Sequence, residues 1–462
     1  MQEKIIVKSF GCRLNTAEGE KLRIVAARAG LTSAVIFNTC AVTAEAERQA
    51  KQAIRKTARE MPDMPIYVVG CAVDNNSDEF ATLPNVAATI KNSNKFDIDA
   101  FKSPSLVSRT KVPFAGEGVA RSAGVVVNRP NKIPPQNNKV IPGLDPGISP
   151  NHSLSESIII QSYPTLTKGF VQIQNGCDHA CTYCIVHKLR GKSRSFPYSA
   201  ILEQTRRLVE NGYSEIVLTG VDIASYQIAG GGLPTPTRTF SVVDLIRQLL
   251  TDIPEIKRLR LSSLDPAVDW TPLFQLMQED SRVLPHIHLS MQSGSDEILR
   301  LMARRHRTAN LISPQNNKVI PVLDTGISPN ITTSVDIICG FPGETKERFA
   351  ETIETLKALR PIKIHAFPFS PRPGTPAADF PGQVPRATAK ERVRILNDLG
   401  AQFLHEFMQS RIGSTAQVLM ENNNLGRDEH DIECAVPDLP HNTIVNVVLT
   451  DIQNGIFICK KQ

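Results

Sequence analysis

The chain has 462 residues, of which 41% are hydrophobic and 21% charged, with a formal net charge of +6. That length suggests about three domains, and the balance excludes disordered and collagen-like classes. The N-terminus, MQEKIIVKSFGC, has no long apolar run or small-residue cleavage site, and no stretch approaches a membrane span. The expectation is a cytoplasmic chain with no membrane partner. Its nine cysteines, an odd number without a secretory signal, argue for reduced thiols and metal ligation over a disulfide framework.

Residues 4–10 read as a strand ending at Gly11-Cys12. A helix over 16–29 stops at Gly30, a strand over 34–38 runs to Thr39-Cys40, and a basic helix over 43–60 is closed by Pro62. A third strand, 65–69, reaches Gly70-Cys71. The β-α-β-α-β order predicts a parallel sheet with right-handed crossovers in a three-layer α/β domain over 1–103. Parallel strands share one carboxyl edge, so Cys12, Cys40 and Cys71 would meet there as a three-thiolate site. A single strand-end cysteine would be only a small hydrophobe; three at equivalent positions suggest a ligand set.

Residues 104–167 show little periodicity and read as a linker. Within it, 135–151 recurs at 314–330 with all but two of seventeen positions identical. Two distant copies do not make a solenoid, and their Pro and Gly content predicts inserted loops outside the packed cores.

From Gly169 the alternation resumes. Strands over 169–174, 215–219, 257–262, 286–291, 334–339 and 362–367 alternate with helices, which makes six β/α units across 168–411. Six strands are too few to close an eight-stranded barrel, so a partial (β/α)6 barrel with its site at the carboxyl edge is expected. The first strand leads into Gly176-Cys177-Asp178-His179-Ala180-Cys181-Thr182-Tyr183-Cys184. Three thiolates on one loop suit a [4Fe–4S] cluster with one iron left open; the lesser alternative is a Cys3His zinc knuckle completed by His187. A long helix over 385–410 precedes an alternating tail, 412–462, that reads as a small antiparallel β domain.

Positive charge is clustered: Arg48, Lys51, Arg55, Lys56 and Arg59; Lys188, Arg190, Lys192 and Arg194; Arg300, Arg304, Arg305 and Arg307. Each group could be a solvated face, and together they suggest a polyanion partner. The tail from 411 onward is acidic, with four Lys/Arg against seven Asp/Glu. His286 and His288 form an HxH without the carboxylate pattern of a metal pair, and Cys339, Cys434, Cys459 and Trp270 read as packing residues.

The motifs FGCRLN (10–15), NTCAVT (38–43), VGCA (69–72), QNGCDHACTYC (174–184), RGKSRS (190–195), LSSLDP (261–266), HLSMQSGSD (288–296) and GFPGET (340–345) resemble those of the radical S-adenosylmethionine (SAM) methylthiotransferases. GCRLN and NGCD look most like the branch acting on threonylcarbamoyladenosine in tRNA. The isopentenyladenosine and ribosomal-protein branches usually show GCQMN and GCPKN at the first motif. The resemblance covers most of the chain outside the repeats and linker.

It implies two [4Fe–4S] clusters, one on Cys177, Cys181 and Cys184 that binds SAM and one on Cys12, Cys40 and Cys71. It also implies a TRAM-like tail and methylthiolation of C2 of the modified adenine beside the anticodon, at position 37. Tyr183 would lie beside the SAM adenine, and Gly220, Gln292 and Gly340 would line its pocket. The implied partners are a tRNA carrying threonylcarbamoyladenosine and a reductant such as flavodoxin or ferredoxin, with a monomeric enzyme. The other two branches, and a non-catalytic zinc- and RNA-binding relative, are the alternative readings.

Overall fold

The computed structural model describes residues 4–11, 13–41, 44–102, 158–163, 166–228, 240–313, 318–319, 331–422 and 424–462. Cys12, the first repeat, nearly all of the second repeat and Gly230 to Gly232 lie outside them.

The first domain runs β1 (Lys4–Ser9), α1 (Arg13–Arg28), β2 (Ser33–Thr39), α2 (Ala44–Glu60), β3 (Ile66–Gly70), α3 (Cys71–Ala81) and β4 (Val86–Ile90). The parallel sheet has the order β1-β2-β3-β4, so one βαβ unit exceeds the three expected strands. Strand alternation divides the sheet into two apolar faces. Ala34 and Ile36 pack with Leu22 and Val25 of α1, whereas Val35 and Phe37 pack with Ile54 of α2 and Phe80 of α3. Consecutive neighbours with right-handed crossovers would put both helices on one face. Here α1 and α2 lie on opposite faces, so the two crossovers differ in hand, contrary to expectation. The exception has a use, because α1 also packs on the first two barrel strands and forms the joint between domains.

The expected linker ends earlier than predicted. Ile158 joins the first domain's core, while Ile160 and Tyr163 join the barrel's. Gln204 pins this strap through both backbone groups of Ile160, at 2.8 and 2.9 Å. The apolar run Ile158-Ile159-Ile160 explains the departure, since it has surface to bury.

Six parallel strands follow: β5 (Lys168–Gln172), β6 (Glu215–Thr219), β7 (Arg258–Leu261), β8 (His286–Gln292), β9 (Thr332–Cys339) and β10 (Lys363–Pro368). They form two three-stranded sheets, β7-β6-β5 and β8-β9-β10, joined by parallel bridges Leu259–Val283 and Leu264–Leu289. This is the expected partial barrel. Its outward side chains, among them Ile216, Leu218, Leu259, Ile287, Val335 and Ile337, share one core with the surrounding helices. By alternation the inner face carries Glu215, Arg258, Arg260, His286, His288, Ser334, Asp336 and His365, which is unusually polar.

A 26-residue helix (Arg386–Arg411) leads to a closed five-stranded barrel over Thr415–Lys461. Its turn Asp428-Glu429-His430-Asp431 plugs the amino end of the large barrel. The Asp428 carbonyl accepts from Arg258 at 2.9 Å, and Asp431 pairs with Lys168 at 3.0 Å. Glu215 neutralises both Arg258 and Arg260, each at 2.9 Å. Glu421 also pairs with Lys168, at 3.2 Å, so two of the tail's acids are spent on the barrel floor.

Candidate metal centres and the barrel mouth

The loop after β5 is held open by backbone and amide bonds. Gln174 reaches both ways: its Oε1 accepts from Val221 and Asp222 N–H, at 3.0 and 2.8 Å, and its Nε2 donates to the Gly176 carbonyl at 2.8 Å. Gly176 has φ 74°, and a Cβ there would fall 1.9 Å from the Lys192 carbonyl oxygen. Only glycine permits the two chain segments to close this tightly. Thr182 N–H donates to the Met302 carbonyl and the Thr182 carbonyl accepts from Ala377 N–H, so the loop is tied to the end of the helix over Asp296–Leu301 and to the segment after β10.

Cys181 is buried, and Cys177 and Cys184 are half-buried. Burial pushes the Cys177 thiol up to about 12 and that of Cys184 to about 11, so both are protonated without a metal. Ligation deprotonates a coordinating thiol outright. The surroundings suit the resulting negative charge. His179 N–H donates to Cys177 Sγ at 3.4 Å, and Arg304 Nη1 donates to Cys181 Sγ at 3.7 Å. The Arg304 side chain is only 8% exposed and pairs with Asp265 at 3.4 Å. Its guanidinium pKa is raised, against the effect of burial, by the surrounding acids and Cys181. Arg304 thus belongs to the site and leaves the expected surface cluster. His179 Nε2 meets Asp222 at 2.8 Å, and these two with Cys177 are the one compact group of potential metal-binding side chains among the described residues. Cys181, Cys184 and His187 are not part of that group.

Cys40 and Cys71 are buried where β2 and β3 end. Gly11 has φ 96°, and a Cβ there would lie 2.5 Å from Cys40 Cβ, so Gly11 itself packs directly on Cys40. Cys71 packs against Ala41 and Ile185, the residue after Cys184. Arg372, from the turn after β10, feels the charge of Cys40, and its Nε and Nη2 are buried with no partner among the described residues. Lys95 is likewise close enough to sense Cys71. Two buried cations and orphaned donors beside two cysteines fit an anionic cluster.

The predicted pocket residues fare unevenly. Tyr183 is half-buried against Ile298, Met302 and Phe341. Gly220 sits against Gln174, where a Cβ would come within 2.9 Å of its carbonyl oxygen, and Gln292 takes φ 69° at the end of β8. Gly340 is held by packing, because a Cβ there would lie 2.5 Å from Ala389 Cβ in the long helix. Better signals of a polar ligand are Gln172 Nε2, Thr219 Oγ1 and Ser262 Oγ, buried at three adjacent strand ends without a partner among the described residues. Orphaned buried groups of this kind call for a ligand or water. Strand-end position was the signal available for them in the sequence.

Comparison with known proteins now bears on this geometry. Residues 171–356 match the radical SAM superfamily, and 4–91 match "Uncharacterized protein family UPF0004". The Rickettsia prowazekii threonylcarbamoyladenosine tRNA methylthiotransferase MtaB is 36% identical over 98% of this chain and 96% of its own. The chain belongs to the radical SAM methylthiotransferases. The Thermotoga maritima protein of the same name is 29% identical over 90% of this chain and 86% of its own. A tRNA-2-methylthio-N(6)-dimethylallyladenosine synthase from Corynebacterium efficiens is also 29% identical, over 90% of this chain and 74% of its own. In this methylthiotransferase the two cysteine sets belong to the two family-matched regions, one to each.

The charges expected to contact nucleic acid also sort themselves. Arg190 is buried between the domains, donating to Glu18 at 2.8 and 3.1 Å and to Asn15 at 2.9 Å. It is a joint residue, contrary to expectation. Lys188, Lys192, Arg48, Arg55, Lys56 and Arg59 are exposed. No helix among the described residues is long and apolar enough to cross a membrane.

Proposed function

We propose that the protein adds a methylthio group to C2 of N6-threonylcarbamoyladenosine at position 37 of tRNA. The full-length similarity to the Rickettsia enzyme, together with the two three-cysteine motifs in the sequence, supports this reading. Cys177, Cys181 and Cys184 hold the SAM-binding [4Fe–4S] cluster. Cys12, Cys40 and Cys71 hold a second, and Tyr183, Gly220, Gln292 and Gly340 stand near the SAM pocket. When bound, cluster and SAM supply the radical chemistry that adenine C2 requires, since its hydrogen is not acidic enough for general-base removal.

The protein's own part is to place and shield. Gln174 fixes the loop, Arg304 balances thiolate charge, and α1 joins the first domain to β5 and β6 of the barrel. The protein works in the cytoplasm as a monomer, with reducing equivalents from a small electron carrier such as flavodoxin or ferredoxin. The domains are 1–103, a linker from 104 that ends before the strap at 158, the barrel to 411 and the tail from 412.

Anaerobic reconstitution followed by iron, sulfide and zinc analysis tests the clusters, with roughly eight irons per chain expected for two [4Fe–4S] centres. Stoichiometric zinc without iron would refute them. Nucleoside analysis of tRNA from cells with and without the gene tests the substrate; unchanged methylthio-threonylcarbamoyladenosine refutes it.

A further inference from the structure

Among the described residues, Arg258, Arg260 and Arg13 bring guanidinium groups to the barrel interior in different states. Arg258 and Arg260 are almost fully buried and each pairs with Glu215 at 2.9 Å. Arg13 is different. Its side chain is 41% exposed, and its ion pair with Asp431 is 3.8 Å long. That carboxylate already holds Lys168 at 3.0 Å. The Arg13 Nη1 donates to the Leu261 carbonyl, at the carboxyl end of β7, at 3.3 Å. No other hydrogen bond of its guanidinium is seen among the described residues. A separation of 3.8 Å is beyond hydrogen-bond range, so most of the guanidinium's donors are unspent.

Its position is as informative as its pairing. Arg13 is the first residue of α1 and follows Cys12 in the sequence, so its side chain rises from the domain that carries the second cysteine set. Its head lies within electrostatic reach of Glu215 and Arg260 on one wall of the barrel and of His365 on the opposite wall. It therefore reaches from the first domain into the lumen, between the carboxyl end of β7 and the turn at Asp431.

Resting on the function proposed above, we infer that Arg13 is a specificity residue that binds the carboxylate of the threonylcarbamoyl group. That substituent differs from an apolar alkyl group at adenine N6 by carrying a negative charge. A guanidinium recognises a planar carboxylate with two parallel hydrogen bonds. Asp431 remains satisfied by Lys168 when Arg13 turns to the substrate. No covalent step is involved; the contribution is affinity and register of the base.

The test uses the full-length reconstituted enzyme and two tRNAs, one with N6-threonylcarbamoyladenosine and one with the same group as its methyl ester. The native enzyme should lose on the order of 10- to 100-fold in kcat/KM on the ester, the range for a lost charged hydrogen bond. Arg13→Gln should lose a similar factor on the acid and none further on the ester, and Arg13→Lys should recover part of it. Iron content and tRNA-independent SAM cleavage should be unchanged in both variants. Equal turnover of acid and ester by the native enzyme overturns the inference without reference to any variant. A Gln variant that still prefers the acid, or that loses iron or SAM cleavage in parallel, also overturns it. Product from neither tRNA rejects the substrate reading itself.

Discussion

Glu18 balances the charge of the joint between the first domain and the barrel. It is fully buried and accepts from Arg190 on one side and from Lys95, at 2.6 Å, on the other. Its carboxyl is held down at about 2, despite burial, by those two cations. Glu18→Gln leaves Arg190 and Lys95 without their counter-charge, and breaking one partner of a buried ion set costs on the order of 3–5 kcal/mol. Urea unfolding should show that loss at neutral pH. Because the folded value lies below the ordinary 4.5, the native contribution is complete above that value and disappears as pH falls through about 2. The gap between native and Gln variants should therefore narrow as the solution is acidified, and a constant gap would contradict the assignment. Arg190 was visible in the sequence as a positive charge, but its burial was not, because Glu18 lies 172 positions away. Arg304 is similar: a charge run shows composition, and only packing shows which member turns inward.

At the scale of elements, the cysteine loop depends on Gly176 more than on any residue whose chemistry is conspicuous. Gly176→Ala adds a Cβ where the Lys192 carbonyl already stands, at a φ that disfavours a side chain. The variant should lose about four of roughly eight irons per chain, with the remainder retained at the first domain. Iron analysis beside an unchanged circular dichroism spectrum checks this; full iron content would show the loop to be more tolerant than its geometry suggests. The six barrel strands and the N-terminal βαβ pattern were legible because their apolar periodicity is set by burial. The fourth N-terminal strand, Val86–Ile90, was not, because VAATI is half-exposed along most of its length and gives a weak signal. The strap at 158–163 was hidden by the composition of its neighbours. The opposite faces of α1 and α2 follow from docking against another domain, which no local pattern encodes.

The tail's docking shows the same interplay. Burial and the neighbouring Glu429 push Asp428 up to about 7. Its Oδ1 accepts from His430 and Ile432 N–H, at 2.9 and 2.8 Å, while Oδ2 has no partner among the described residues. The folded state thus keeps a proton that the unfolded chain releases near 3.8, so stability falls as pH rises from about 3.8 to about 7. Asp428→Asn preserves the accepting oxygen and removes the titration. It should raise Tm at about pH 8 with little change at about pH 4. Equal shifts at both values would assign the effect to something other than this proton.

For the whole molecule, the question is which surface meets tRNA. Arg190 and Arg304 are turned inward, which leaves fewer candidates than the charge runs imply. Lys188 and Lys192 remain exposed beside the cysteine loop, and the Lys188 ammonium donates to the Gly374 carbonyl. The same turn sends Arg372 to Glu47 of α2 at 3.5 Å, so the loop, the turn and the basic helix adjoin one another. Exposed Arg55, Lys56 and Arg59 continue along that helix. Phosphate contacts release counterions, and each one lost lowers the dependence of log affinity on log salt by somewhat less than one unit. Lys188→Glu with Lys192→Glu should weaken tRNA binding several-fold at low salt and flatten the salt dependence by roughly one to two units. Filter binding across a salt series measures both. The same reversal at Lys460 and Lys461, on the strand over Ile456–Lys461, serves as the contrast, since that strand lies in an otherwise acidic domain. If the tail pair alters the slope and the loop pair does not, the tRNA approaches from the tail, and the balance of charge between the two ends has been misjudged.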